Sequence, residues 1–287
     1  MATTIAADLT AGQIAMVGAA RYTYEHRTLT TQLFTKMTLE KGEKSIYLPK
    51  FGTVTANDLT DGVDMTEAQS LTITGTTHTT DEAGCKVIVT KKLASQLKED
   101  AYRAAGKVIG NAMGKKIDQD GLTLFSGLNT SLGAAGTTFS LDYLNAAVSQ
   151  MFGQSEPVPT PYVTVVHPYH LHELVDLLAT PAAGTYSMDG NLMSGALRDY
   201  FRGTEKLFGT QVFSTGNITI DSEADAYGAV FSKMAFIYLV GWEPENWLEE
   251  DKSLRGYELG IVADYGMVEE DGTYGRALLF DATTPTS

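Results

Sequence analysis

The stretch from Lys91 to Phe125, KKLASQLKEDAYRAAGKVIGNAMGKKIDQDGLTLF, carries the strongest periodic signal in the chain. Leu93, Leu97, Ala101, Ala104 and Val108, and beside them Ala105, Ile109, Met113 and Ile117, recur at steps of three and four. That spacing lays side chains along one face of a helix. The Lys and Asp residues fall to the other face. A helix of about 30 residues is about 45 Å long, far beyond the common length of about 12 residues. Such an element cannot be wrapped by a small body; it has to lie along it as a spine. Gly106, Gly110 and Gly114 sit four apart on it, and each costs up to about 1 kcal/mol relative to Ala in a helix interior. Three at helical spacing predict that another backbone crosses closely there. A membrane-dimer role for them is excluded, because Lys107, Lys115 and Lys116 lie among them.

The segment just before this helix has the opposite character. Residues 51–85 contain no Lys or Arg and six acidic side chains, Asp58, Asp61, Asp64, Glu67, Asp81 and Glu82. Residues 86–120 contain eight basic and four acidic side chains. The acidic segment is rich in Thr, Gly and Asp, with too little apolar material for a core. Leu71 and Ile73 alternate with Thr72 and Thr74, a period-two strand signal, and Asp61-Gly62 is turn chemistry. The segment reads as an extended two-stranded excursion from the main body or as an ordinary surface hairpin. Its base is a strand over Lys44–Lys50 with Ile46 and Leu48 on one side, and Pro49 marks it as an edge.

The remainder reads as a folded body. Val87, Ile88 and Val89 form a strand that enters a core. Ser140 is placed to cap a helix over LDYLNAAVSQMF. Pro157, Pro159 and Pro161 stiffen a connector. Tyr162–Val166 reads as a buried strand, and Pro168 opens a helix over HPYHLHELVDLL. Strand and helix continue to alternate through LFGTQVFST and YGAVFSKMAFIYLV, giving a compact α/β or α+β unit. SLRGYELGIVADYGMVEEDGTYGRALLF reads as two antiparallel strands joined at Asp271-Gly272.

Composition closes off several classes. At 43% hydrophobic and 20% charged residues, the chain has the make-up of a folded protein. No apolar run reaches membrane-spanning length, and the first residues have neither a basic region nor an apolar core typical of a secretory signal. Cys85 is the single cysteine, which rules out an internal disulfide and is compatible with a reducing cytoplasm. A net charge of −14 argues against a dedicated nucleic-acid reader, since phosphate contact needs a basic face. It allows a wall that encloses DNA without gripping it.

Motifs for chemistry are weak. His167, His170 and His172 are the nearest approach to a metal constellation, but 172 is displaced from the other two on a helix, and zinc needs three or four converging ligands. A surface helix start is the plainer reading. GKVIGNAMGKK fails the phosphate-loop pattern, having three residues between glycines and Lys116 after Lys115. Ser194 lacks the glycine spacing of a nucleophile elbow. Cys85 has no His beside it in the sequence and reads as a structural thiol. The acidic runs 249–251 and 269–271 read as solvated turns. Trp242 and Trp247, in GWEPENWLEED, are spaced to anchor an interface or to pack an edge.

The order of these elements resembles the Hong Kong 97-like major capsid fold of tailed bacteriophages. The residues that carry the resemblance are GEKSIYLPKFG, EAQSLTITGTTHTTDEAGCKVIVTKK, the helix through GKKIDQDGLTLFSGL, VTVVHPYHLHELVDLL and RGYELGIVADYG. It implies an α+β fold with an N-terminal arm (1–43), an extended loop with base strands (44–90), a peripheral domain (91–127 with 241–287) and an axial domain (128–240). It implies a structural, non-enzymatic subunit without cofactor or metal, forming the pentamers and hexamers of an icosahedral capsid around double-stranded DNA. Portal, scaffolding and decoration proteins are the implied partners, DNA is touched non-specifically, and no membrane is involved. Assembly in the host cytoplasm and residence in the virion follow. Related readings are an encapsulin-like compartment and, from another class, a metal-dependent enzyme using the three histidines. Some members of the family crosslink through a loop lysine; residues 51–85 have none. The charge contrast makes Asp58, Asp61, Asp64 and Glu67 of one subunit candidates to meet Lys92, Lys98, Arg103 and Lys107 of the next, with Trp242 and Trp247 as further contacts.

Overall fold

The computed structural model describes residues 28–65, 68–96, 101–179 and 208–286, without the side chains of 101–104 and 175–179. The elements run as follows: α1 Thr30–Leu33, β1 Thr35–Thr38, β2 Ser45–Phe51, β3 Ile73–Thr79, β4 Asp81–Thr90, α2 Lys91–Gln96, α3 Ala101–Thr123, β5 Ser131–Gly133, α4 Leu141–Phe152, β6 Tyr162–Val166, α5 Pro168–Ala179, β7 Thr210–Ser214, β8 Asp225–Ser232, β9 Phe236–Asp251, β10 Gly256–Glu269 and β11 Gly275–Asp281. Short 3₁₀ turns cover Leu124–Gly127 and Gly272–Tyr274.

Two sheets make the body. One has the order β1-β9-β10-β4, the other β5-β11-β8-β6-β7, while β2 and β3 pair only with each other. The long spine is present as α2 and α3, and residues 97–100 between them lie outside the described residues. Of the two apolar tracks, the one through Ile109, Met113 and Ile117 is buried with Leu93, whereas Val108 is exposed; Leu97, Ala101 and Ala104 lie outside the described side chains. The assignment of every Asp to the solvent face fails at Asp118, which is fully buried. The body of the helix covers β4 and β10 through the cluster Val89, Leu93, Ile109 and Leu259.

All five residues of β6 are buried, as its apolar run predicts for a strand with both faces covered. Ser140 precedes α4 with extended backbone, but its side chain makes no capping bond. The expected hairpin around Asp271-Gly272 is corrected: β10 pairs with β9 and β4, and β11 pairs with β8 and β5. The turn is real, yet it carries the chain from one sheet to the other. The step from β8 to β9 makes the same crossing in reverse through residues 233–235. The two crossings touch: the Glu270 amide donates to the Ala235 carbonyl at 2.9 Å.

One core spans both sheets at that crossing. Phe231 of β8 meets Phe236 of β9 edge-on at 5.1 Å between ring centroids, and Phe34 and Phe125 close the group at 5.5–5.8 Å from Phe231. A second cluster, including Phe139, Leu144, Val166, Leu174 and Phe280, seats α4 and α5 on the five-stranded sheet.

Candidate assembly surface

The loop rises from the paired base strands β2 and β3, in register from Ser45 opposite Thr79 to Phe51 opposite Ile73. Ile46 and Leu48 face inward onto Leu39, Ile237 and Leu239, as the alternation predicts. Beyond Phe51 the chain runs with its side chains exposed as far as Thr72, apart from residues 66–67, which lie outside the described residues. Phe51, Val54, Leu59, Val63, Met65 and Leu71 are each 52–69% exposed. A row of apolar side chains in water is a marker of an interaction surface.

The base of the loop is fastened to the sheet crossing. Lys50 pairs with Asp271 and lies over the Tyr274 ring, 5.4 Å from its centroid. His78 Nε2 stands 3.8 Å from Glu270 Oε2. Burial pushes the Asp271 carboxyl up, but Lys50 and the Thr273 hydroxyl and amide outweigh it and hold the group below the ordinary carboxylate range. Residues 269–271 are therefore not the solvated turn expected; they are a half-buried seat for the loop.

Among the contact candidates, Asp58, Asp61, Asp64, Lys92 and Lys107 are exposed. Glu67, Lys98 and the Arg103 side chain lie outside the described ones, as does Ser194. Trp242 and Trp247 are 44% and 39% exposed on the outer half of β9. The subunit spends part of its basic charge internally: Lys86 pairs with Glu258 at 2.9 Å, Lys91 with Glu250 and Lys116 with Asp120. Glu250, expected in a solvated turn, is one of these partners. None of these pairs uses Asp58, Asp61 or Asp64.

Trp247 also walls a half-open groove of about 570 Å³ between α3 and the β9–β10 ribbon, floored by Gly106, Ile109 and Gly110. Trp247 stands directly opposite Gly260, where an added Cβ would come within 2.2 Å of the indole.

Sequence reasoning missed Asp118. Its Oδ1 accepts from the Leu29 amide (2.8 Å), the Thr30 amide (2.9 Å) and the Thr30 hydroxyl (3.0 Å), and its Oδ2 accepts from the Asn217 side-chain amide (2.7 Å). One carboxylate thus joins the entering chain, the spine helix and the loop that follows β7. The only available hint is that Asp118 directly follows Ile117 of the apolar stripe.

The histidines do not converge. His170 is fully buried, with Nε2 3.2 Å from the Phe280 carbonyl. His167 is buried beside it, accepting the Tyr169 amide on Nδ1, whereas His172 is exposed. Among the described residues no group of three or more His, Cys, Asp or Glu could hold a metal ion. The surface-helix reading is corrected too, since His167 and His170 lie inside. Cys85 is half-buried, donates to the Ile109 carbonyl at 3.8 Å, and its thiol is pushed up by burial.

Burial holds His170 below the ordinary histidine range, ahead of the opposing pull of the Phe280 carbonyl and of Asp281 and Asp225. The fold therefore favours the neutral ring, and its contribution to stability is full above the unfolded value of 6.5. Stability falls as acid protonates the unfolded chain first, by up to about 1.4 kcal/mol per pH unit. Glu173, raised by burial, acts with the opposite sign. Replacing His170 by Gln isolates the histidine: urea midpoints of H170Q are expected to change less between pH 7 and pH 5 than those of the parent. Equal changes would remove His170 as the cause.

The chain thus combines a long helix on one sheet, a second sheet that shares its core, and a loop whose scattered apolar side chains stay exposed. Residues 86–275 match the family model described as phage capsid protein. The chain belongs to that family and is a structural capsid subunit of the virion. No curated protein matches. The fold is the Hong Kong 97-like capsid fold, as three solved structures illustrate. That of Mycobacterium phage Che8 has TM-score 0.72 at 14% identity, covering 91% of this chain and 94% of its own. The capsid of cyanophage Pam1 has TM-score 0.70 at 11% identity, covering 99% of both chains. The capsid of the native GTA particle has TM-score 0.69 at 14% identity, covering 93% of this chain and 94% of its own.

Proposed function

We propose that the chain forms the pentamers and hexamers of an icosahedral shell that encloses double-stranded DNA, each extended loop lying over the peripheral domain of a neighbour. The observation that carries this is the row of exposed apolar side chains along the loop, from Phe51 to Leu71, which the subunit's own core leaves uncovered. In this reading the β9–β10 ribbon with α2 and α3 is the peripheral domain, its sheet completed by β1 from the arm and β4 from the loop's base, and the five-stranded sheet is the axial domain. The strand Gly275–Asp281 then groups with residues 128–240, because it pairs with β8 and β5. Residues 1–43 serve as the arm and 44–90 as the loop with its base.

Asp58, Asp61, Asp64 and Glu67 meet Lys92, Lys98, Arg103 and Lys107 of the neighbour, and such charges set register and partner choice more than affinity. DNA is touched without sequence preference, since a chain of net charge −14 offers little grip on phosphate. Portal, scaffolding and decoration proteins complete the particle, which assembles in the host cytoplasm without a membrane. The subunit performs no catalysis, and with no lysine in residues 51–85 the loop forms no covalent lysine crosslink.

Electron microscopy of the purified chain is the test. Closed shells with five-fold and six-fold clusters are expected; protein cargo in place of nuclease-protected DNA in particles from infected cells would move the reading to a compartment shell. The triple variant D58K/D61K/D64K is expected to slow assembly at low salt. The deficit should shrink at about 1 M salt, where the screening length is about 3 Å. A variant that assembles like the parent at both salts removes the ionic contact.

A further inference from the structure

His78 is the one residue of β3 that is not exposed. It stands directly opposite Ile46 in the β2–β3 ribbon at the loop's base, so its ring shares the inward face of that ribbon. There Nε2 lies 3.0 Å from the Thr76 hydroxyl and 3.8 Å from Glu270 Oε2, and the side chain is only 10% exposed. Glu270 Oε2 is itself buried, and among the described residues it has no hydrogen-bond donor. A buried carboxylate oxygen without a donor is destabilising unless a positive charge stands beside it.

The contact sits where the base of the loop meets the crossing between the two sheets. The Glu270 amide donates to the Ala235 carbonyl, which ties this residue to the neighbouring crossing. The ribbon also runs close over β10: a Cβ added at Gly266 would come within 2.6 Å of the Thr79 carbonyl oxygen. His78 borders a groove of about 550 Å³ that is lined as well by Asp81 and Glu82 of β4, Lys116 and Asp120 of α3 and Tyr265 of β10. Glu269 and Asp271 flank Glu270 in the chain. The two lysines of this region each pair with another carboxylate, Lys50 with Asp271 and Lys116 with Asp120. His78 is thus the group placed to give Glu270 a cation.

We infer that His78 and Glu270 form a proton-operated latch that fastens the loop's base ribbon to the sheet crossing. With the ring protonated, Nε2 carries a hydrogen and the ring presents a positive charge to the Glu270 carboxylate. With the ring neutral, that attraction is gone, Oε2 stays buried without a partner, and the Lys50–Asp271 pair alone holds the charged side of the base. The ion pair needs the charged ring, so the latch is closed on the acid side of the histidine transition and loosens as pH rises through it. His170 acts with the opposite sign, because the fold favours its neutral form. The latch works within one subunit and needs no neighbour.

Hydrogen exchange of the unassembled chain is the test, with protection of each amide read against its intrinsic exchange rate at the same pH. From pH 8 to pH 6, where histidine changes charge, the parent is expected to gain about threefold protection over Ser45–Phe51 and Ile73–Thr79. The β6 amides, in the other sheet, are the reference and are expected not to gain. H78Q and E270Q are each expected to abolish the gain in the ribbon. A parent without the gain overturns the latch. A gain that persists in H78Q comes from another group, Glu269 foremost, which burial and Asp271 hold above the ordinary carboxylate range, and overturns it too. A gain lost in H78Q but kept in E270Q overturns the pairing with Glu270. Should H78Q fail to fold, E270Q decides alone: a parent-like gain there overturns the latch, and its loss upholds it.

Discussion

Asp118→Ala is expected to destabilise the subunit by about 4 kcal/mol and to lower its thermal midpoint by about 10 °C. The carboxylate has no contact with water and accepts from two backbone amides, one hydroxyl and one side-chain amide. Alanine takes this acceptor away from the Leu29 and Thr30 donors and from the Asn217 amide. An unpaired buried donor costs about 1–3 kcal/mol; the Thr30 hydroxyl can rotate away, so the losses do not simply add. Asp118→Asn provides the comparison. It keeps an oxygen for Leu29 and Thr30 but turns an amide toward the Asn217 amide, donor against donor, and is expected to cost about half as much. Thermal and urea unfolding of the unassembled chain measure both. A loss under about 1 kcal/mol in Asp118→Ala would mean that water replaces the carboxylate and that Asp118 does not tie the three elements together.

Phe231→Ala is expected to cost about 3–5 kcal/mol. Phe231 is fully buried where β8 hands over to β9, and it touches Phe34, Phe125 and Phe236. Removing the ring takes away its burial and three aromatic contacts, each worth about 0.5–1.5 kcal/mol beyond area, at the point where the two sheets share one core. Phe231→Leu keeps most of the volume and is expected to lose less. Phe152, 69% exposed on α4, is the control: Phe152→Ala should stay within about 0.5 kcal/mol. A Phe231→Ala chain that unfolds in two steps, one sheet before the other, would support the shared core as the source of cooperativity. Parent-like stability would refute the assignment.

Much of this architecture is legible in the chain. The 3.6-residue stripe announces α3 because burying one face of a helix requires it. The alternation in Ser45–Phe51 fixes which side of β2 faces inward, since a strand has period two. Residues 51–72 lack the apolar density to form a core, which leaves an extended excursion or a surface hairpin. The order of these elements also carried the family resemblance. Asp118 was illegible for a different reason: an aspartate inside a run of Lys, Gln and Asp looks like solvent-face polarity until the partners that satisfy it, distant in sequence, are brought beside it. The same holds for residues 269–271, acidic and turn-like in sequence, yet seated against Lys50 and His78. Among the histidines, spacing set 172 apart from 167 and 170, but only packing showed that the latter two are buried.

By itself the sequence determined the local elements, the buried faces of the best of them, and the charge contrast between the loop and the helix that follows, because those depend on neighbours within a few residues. Tertiary structure alone decided that β10 and β11 part into different sheets, that Lys86 and Lys91 are spent inside the subunit, and that Gly106 and Gly110 face an open groove. Those are choices of partner between residues far apart in the chain, and periodicity says which face of an element seeks contact without saying what it will meet.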